Sequence, residues 1–373
     1  MGQVKMEYTF IKNTMLLRHL FFAIVITFLC IDTVAVNAQP SQHKKDVIVE
    51  RQATSIPVPF VTVRNRTEDS KSSEYFEGTR GQLSAGICTV SFSPIWGLDE
   101  IAESAPFYIP DETIKLTDFD EIKLDQLFHE IAQFSQKDNG NIVIYIHGYN
   151  IDFEKSCRRS ALFQRALGLD DRLLLFSWPA DGNMLKYTWD EADLVWSVPH
   201  IAQFIEEVIR KAGNRKVDMV AHSLGARGAV QALARLAYNK PATPILNELV
   251  LIAPDIDTDI FRQELPVIKS SVNRVTVYVS ENDKALRLSH EVHGYPRLGE
   301  AGENLTVLEG VETIDISSIS NRRISGHLYH LFNPEVIEDL KQLLHTGEAA
   351  SRRPSLKEAH HDNLPYWRMM TSK

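Results

Sequence analysis

The sequence predicts an α/β fold with a mostly parallel central sheet and helices on both faces. Two observations predict it. From Asn141 onward, short apolar runs alternate with stretches of helical periodicity, the signature of successive βαβ units. Several of those runs, such as Ile142-Val143-Ile144-Tyr145-Ile146, are apolar at every position, which suits strands whose two faces are both covered.

The elements follow in order. Val58 to Val63 and Ile87 to Phe92 are expected strands, separated by a charged, glycine-bearing loop. The regular part then runs strand Ile142 to Ile146, helix Phe153 to Leu167, strand Arg172 to Phe176, and a helix from about Asp190 to Lys211. Strand Val217 to Val220 leads into a helix from Leu224 to Tyr238, followed by strands Glu248 to Ile252, Val275 to Val279 and Val311 to Ile316. A last helix spans Pro334 to Leu344, with proline at a first-turn position it favours. In such a sheet the binding crevice forms at the carboxyl ends of the strands.

Lys5, Lys12 and Arg18 precede an apolar run from Leu20 to Ile31, and Val36-Asn37-Ala38 offers small residues for cleavage. Residues 1–38 are therefore expected to be a signal peptide cut after Ala38, making the protein exported, periplasmic or secreted. The apolar run is shorter than the roughly 17 to 25 residues of a spanning helix, so no stable membrane span is expected in the mature chain. Residues 39–57 are expected to be a linker, 58–346 one α/β domain, and 347–373, rich in charge and carrying Pro354 and Pro365, a loosely attached polar tail.

With 49 acidic against 40 basic residues and a net charge of −9, nucleic acid is not an expected partner. No cysteine and histidine spacing suits zinc and no glycine-rich phosphate loop occurs, so chemistry without metal or cofactor is expected. Cys88 and Cys157 would remain after cleavage of the leader; whether they pair is not decided by the sequence.

The strongest local signal is Val217 to Val220 running through Ala221-His222-Ser223-Leu224-Gly225 directly into a helix. A turn that tight holds a serine in a strained conformation and demands small residues two before and two after it, so Ser223 is the expected nucleophile. Ala221 stands where a glycine is more usual. An oxyanion needs main-chain donors, and His147-Gly148-Tyr149-Asn150 at the end of the first buried strand fits: the Tyr149 amide would act beside that of Leu224, with His147 as a structural anchor of the loop.

A carboxylate and then a histidine should follow at the ends of later strands. Asp283 is favoured because it lies two strands after the nucleophile strand; Asp255, one strand earlier, is the alternative. His327 is favoured as base because it lies between the last strand and the Pro334 helix; His330 is its rival. Trp178 and Tyr187 are candidate pocket-lining residues. Arg227, one turn into the nucleophile helix, is a candidate for binding an acidic substrate group or for a surface ion pair.

These residues resemble a known family, the alpha/beta hydrolases of unknown function grouped as DUF900. The resemblance runs over about residues 58 to 344, through Leu83-Ser84-Ala85-Gly86, Cys88-Thr89-Val90-Ser91, His147-Gly148-Tyr149-Asn150, Phe176-Ser177-Trp178-Pro179, Asp190, the Ser223 pentapeptide, Ala253-Pro254-Asp255, Ser280 with Asp283, and Gly326-His327 with Tyr329. It implies an α/β-hydrolase fold and the triad Ser223, Asp283 and His327, and supplies no substrate. The expected activity is cleavage of a small-molecule acyl substrate, with aryl and short-chain esters first. A peptidase or amidase with the same triad, and a non-catalytic binding protein on this scaffold, are the alternatives. Oligomeric state is not legible.

Overall fold

Strand β4 (Ile142–Ile146) shows how the interior is built. Its alternate residues point to opposite faces. Ile142, Ile144 and Ile146 join one apolar cluster and Val143 and Tyr145 another, so the sheet has a separate core on each side. The computed structural model describes residues 54–69, 74–92, 114–137, 140–169, 172–239, 245–319 and 326–371. The expected leader, most of the expected linker and Ser325 lie outside them.

Among the described residues the sheet has 11 strands. They are β1 (Thr54–Arg66), β2 (Phe76–Phe92), β3 (Ile114–Ile122), β4, β5 (Leu173–Ser177), β6 (Val217–His222), β7 (Leu246–Ile252), β8 (Val272–Val279), β9 (Val311–Asp315), β10 (Leu356–His361) and β11 (Leu364–Met369). Their spatial order is β10-β11-β9-β8-β7-β6-β4-β5-β1-β2-β3. From β1 and β5 through β9 to β11 every pairing is parallel, while β2, β3 and β10 run antiparallel to their neighbours at the two margins.

One face carries α1 (Leu124–Lys137), α3 (Tyr187–Ala212), α4 (Leu224–Asn239) and α5 (Thr258–Lys269). Leu127, Leu194, Ile201, Ala229, Leu233 and Phe261 enter the first cluster from these helices. The other face carries α2 (Phe153–Leu167) and α8 (Pro334–Thr346), whose Phe153, Ala161, Phe163, Val336 and Leu340 enter the second. Two shorter helices complete the α-helices of the described residues, α6 (Lys284–His293) and α7 (Tyr329–Phe332). After β5 the chain crosses β4 to place β6 on its far side. That reversal opens the crevice at the carboxyl ends of β4 and β6, where His147 to Asn150 and Ser223 lie.

Three expectations about the ends are corrected. The strand taken to begin at Val58 begins at Thr54, so the linker stops earlier. The loop expected before Ile87 is largely strand, because β2 pairs with β1 from Phe76 onward. Over its described residues, 347–371, the expected tail is not loose: β10 and β11 form a hairpin, and β11 pairs with β9, extending the sheet. Its turn, Asp362-Asn363, has positive φ at both residues (49° and 64°), the geometry of a two-residue hairpin turn that these residue types tolerate. Arg353 anchors the hairpin, fully buried and bonded to Asp339 Oδ2 of α8 at 2.7 Å, with Tyr278 Oη donating to the same oxygen at 2.6 Å.

Cys88 on β2 and Cys157 on α2 form a disulfide, deciding what the sequence left open. The bond joins residues 69 apart. Closing such a loop removes unfolded-chain entropy worth on the order of 4 kcal/mol.

Candidate active site

Ser223 sits between β6 and α4 with φ +54°, in the left-handed region that a non-glycine residue enters only under constraint. Its backbone is fixed by neighbouring strands: its amide donates to the Ile252 carbonyl at 2.9 Å, and its carbonyl accepts from Ala226 at 3.0 Å and Asp255 at 3.2 Å. Gly225 is needed because a side-chain carbon there would collide with the His147 carbonyl oxygen. Gly148 is needed in turn because a Cβ would stand 2.9 Å from that of Ser223. The two glycines let the elbow and the β4 loop approach backbone to backbone.

That loop is braced from three sides. Asn150 has φ +59°, and its amide donates to Asp190 Oδ2 at 3.2 Å. Asp190 also accepts from the Asp181 amide at 2.9 Å; burial raises its pKa to about 6. His147 is buried, stacked on Trp178 at 5.1 Å, and donates from Nδ1 to the Gly148 carbonyl at 2.9 Å. A carbonyl only accepts, so the Nδ1–H tautomer is implied. Burial first, then Arg64, holds its pKa well below the ordinary histidine value, as befits an anchor. Arg64 of β1, fully buried, donates to the carbonyls of Ile151 and Ala180 at 2.7 Å each and to Ser177 Oγ at 2.9 Å. Burial lowers its pKa to about 10. Sequence reasoning missed Arg64; a lone cation in the run Val58 to Val63-Arg64 was the available signal.

Asp283 and His327 meet. His327 Nδ1 lies 2.7 Å from Asp283 Oδ2, and the carboxylate is buried while the ring is partly exposed. The other carboxylate oxygen, Oδ1, accepts from the amides of Ala285 and Leu286 at 3.0 and 3.1 Å, capping α6. With Nδ1 committed to the carboxylate, Nε2 of a neutral His327 carries the lone pair that a base requires.

The rivals are placed elsewhere. Asp255 accepts from Arg297 Nε at 2.7 Å, Ser289 Oγ at 2.6 Å and Tyr187 Oη at 2.7 Å, a buried cluster containing no contact with His327. Its pKa is low despite burial because Arg297 and Arg227 favour the anion. His330 is fully buried with Nε2 3.3 Å from Tyr145 Oη, and its Nδ1 is without a hydrogen-bond partner. Burial and the neighbouring cations keep its pKa well below the usual value.

One of the two candidate pocket residues is corrected. Trp178 has no exposed surface and donates from Nε1 to the His147 carbonyl at 2.8 Å, so it braces the loop from inside. Arg227 is mostly buried and pairs with Glu191 at 2.6 Å, donating also to the Asp255 carbonyl at 3.1 Å. The expected ion pair forms, with Glu191, and is partly buried. Tyr187 packs edge-on against Tyr149 at 5.0 Å, beside the loop.

The family described as alpha/beta hydrolase of unknown function, DUF900, matches residues 124–346. The chain belongs to that family. An uncharacterized protein of Nostoc sp. is 33% identical over 73 residues, a match that spans 20% of this chain and 19% of that relative. Among solved structures, an uncharacterized protein from Bacillus cereus ATCC 10987 is 12% identical, with 60% of this chain and 69% of that chain covered and a TM-score of 0.35. The Pyrobaculum calidifontis esterase is also 12% identical, with 61% and 94% covered and a TM-score of 0.33. As a DUF900 protein the chain has the α/β-hydrolase fold, and no described helix is long and apolar enough to cross a membrane.

Proposed function

We propose that this DUF900 protein is an exported serine hydrolase that cleaves a carboxylic ester or related acyl bond through an acyl-enzyme on Ser223. The observation that carries the reading is the 2.7 Å contact between His327 Nδ1 and Asp283 Oδ2 at the same strand ends as a serine held at φ +54°. In the first step Ser223 Oγ attacks the acyl carbon while His327 Nε2 takes its proton, and the amides of Tyr149 and Leu224 receive the oxyanion. The imidazolium, held by Asp283, passes that proton to the departing alcohol as the carbon–oxygen bond breaks. Water then adds by the same route and frees the acid and the serine.

Aryl and short-chain esters are the proposed substrates. A disulfide between Cys88 and Cys157 supports an oxidising, exported setting, where such bonds persist. The test is a fluorophosphonate probe: the wild type should turn over a nitrophenyl ester, label with the probe and lose that turnover on labelling, and Ser223→Ala should neither label nor turn over the ester. Absence of wild-type labelling at neutral pH rejects the reading in favour of a non-catalytic scaffold.

A further inference from the structure

His222 precedes the nucleophile and was given no role by the sequence. Its Nε2 lies 3.0 Å from the main-chain carbonyl oxygen of His327. A carbonyl oxygen only accepts, so Nε2 of His222 must be the donor and the ring must hold its proton there. The ring is wedged: its centroid stands 4.6 Å from that of His327 and 4.4 Å from that of His330. On its other edge Nδ1 abuts Gly148 of the oxyanion loop, where a Cβ would come within 2.8 Å. His222 therefore touches the elbow, the oxyanion loop and the segment bearing the base.

We propose that His222 is a positioning residue that sets the height of His327 above Ser223 by tethering the His327 backbone to β6. The inference rests on the hydrolase reading. Asp283 fixes the far edge of the His327 ring at Nδ1. The link from His222 to the His327 carbonyl oxygen holds the main-chain end of the same residue, so ring and backbone are each tied to a fixed element. Burial, then His330 and His327, keeps the His222 ring neutral, so it sets no charge beside the imidazolium that forms on His327. His330 packs against the same ring, tilted 35° from it.

The experiment compares His222→Phe, which keeps the flat ring and loses the donor, with His222→Gln, which keeps an amide donor. A misplaced general base costs up to about 100-fold, so kcat for a nitrophenyl ester should fall roughly 10- to 100-fold in His222→Phe with KM changed less than about twofold. His222→Gln should recover most of that loss. Wild-type kcat in folded His222→Phe, or equal losses in both variants, overturns the inference alone. A wild type that neither turns over esters nor reacts with a fluorophosphonate overturns the hydrolase reading and this inference with it. Nitrogen-15 histidine spectra of the unmodified protein give a check that does not depend on the variants folding: His222 should be the Nε2–H tautomer, and an Nδ1–H tautomer rejects the tether.

Discussion

Asp283 divides one carboxylate between two tasks. Oδ1 caps α6 through two amides and Oδ2 receives His327 Nδ1. Asp283→Asn separates the tasks, because asparagine caps a helix about as well as aspartate. The amide oxygen can stay on the cap only by turning its NH2 toward Nδ1, which then has to accept. The imidazole is driven into the tautomer that leaves Nε2 protonated and useless as a base. Ester turnover should fall about 10³- to 10⁴-fold while the thermal midpoint stays near that of the wild type. Undiminished turnover would remove Asp283 from the mechanism. Sequence spacing favoured Asp283 over Asp255 only by strand number. What separates them is Arg297, 42 residues beyond Asp255, which reaches that carboxylate through folding and occupies it. No local pattern foreshadows such a partner, nor the burial of His330, whose Nε2 lies beside Tyr145 Oη.

Between elements, the site depends on how near the β4 loop comes to the start of α4. Gly225 is pressed on the His147 carbonyl, and that carbonyl is held from behind by Trp178 Nε1. The loop cannot retreat without breaking the Trp178 bond and the stack on His147. A methyl group at 225 must therefore move the helix start, carrying the Leu224 amide with it. Gly225→Ala should cost about 1 to 3 kcal/mol in stability from overpacking. Loss of one oxyanion donor should lower kcat by about 10²-fold or more. Denaturant melts paired with ester kinetics read both. An alanine variant with wild-type kcat would mean that the Leu224 amide faces no developing charge. The small residues around Ser223 and the glycine at 148 made this junction readable in sequence, since steric demand is local. The braces were not readable: Trp178 looked like a pocket wall and Arg64 fell in the charged loop expected after Val63, because their partners lie on other elements.

Across the molecule, the parallel centre was legible because strands covered on both faces must be apolar throughout, as in β4. The margins were not, because an edge strand is half exposed and its charges blur the pattern. Residues 356–369 illustrate it: Lys357, Glu358 and Arg368 face solvent while Tyr366 and Met369 are buried, an alternation that reads as polar sequence unless the Asp362-Asn363 turn is weighed. The exposed charges on β10 also discourage pairing with another chain. What seats this hairpin is the buried contact of Arg353 with Asp339, both without exposed side-chain surface. Arg353→Met should strand the Asp339 charge among apolar neighbours, leaving Tyr278 and Ser355 as donors to it. Breaking one side of a buried pair costs about 3 to 5 kcal/mol, and removing both sides costs less. Thermal melts should therefore show a large fall for Arg353→Met and partial recovery when Asp339→Leu is added. Hydrogen exchange should show β11 losing protection from β9 in the single variant. If Arg353→Met melts with the wild type and keeps β11 protected, the hairpin is held by its strand pairing with β9, and the buried pair contributes little to the seat.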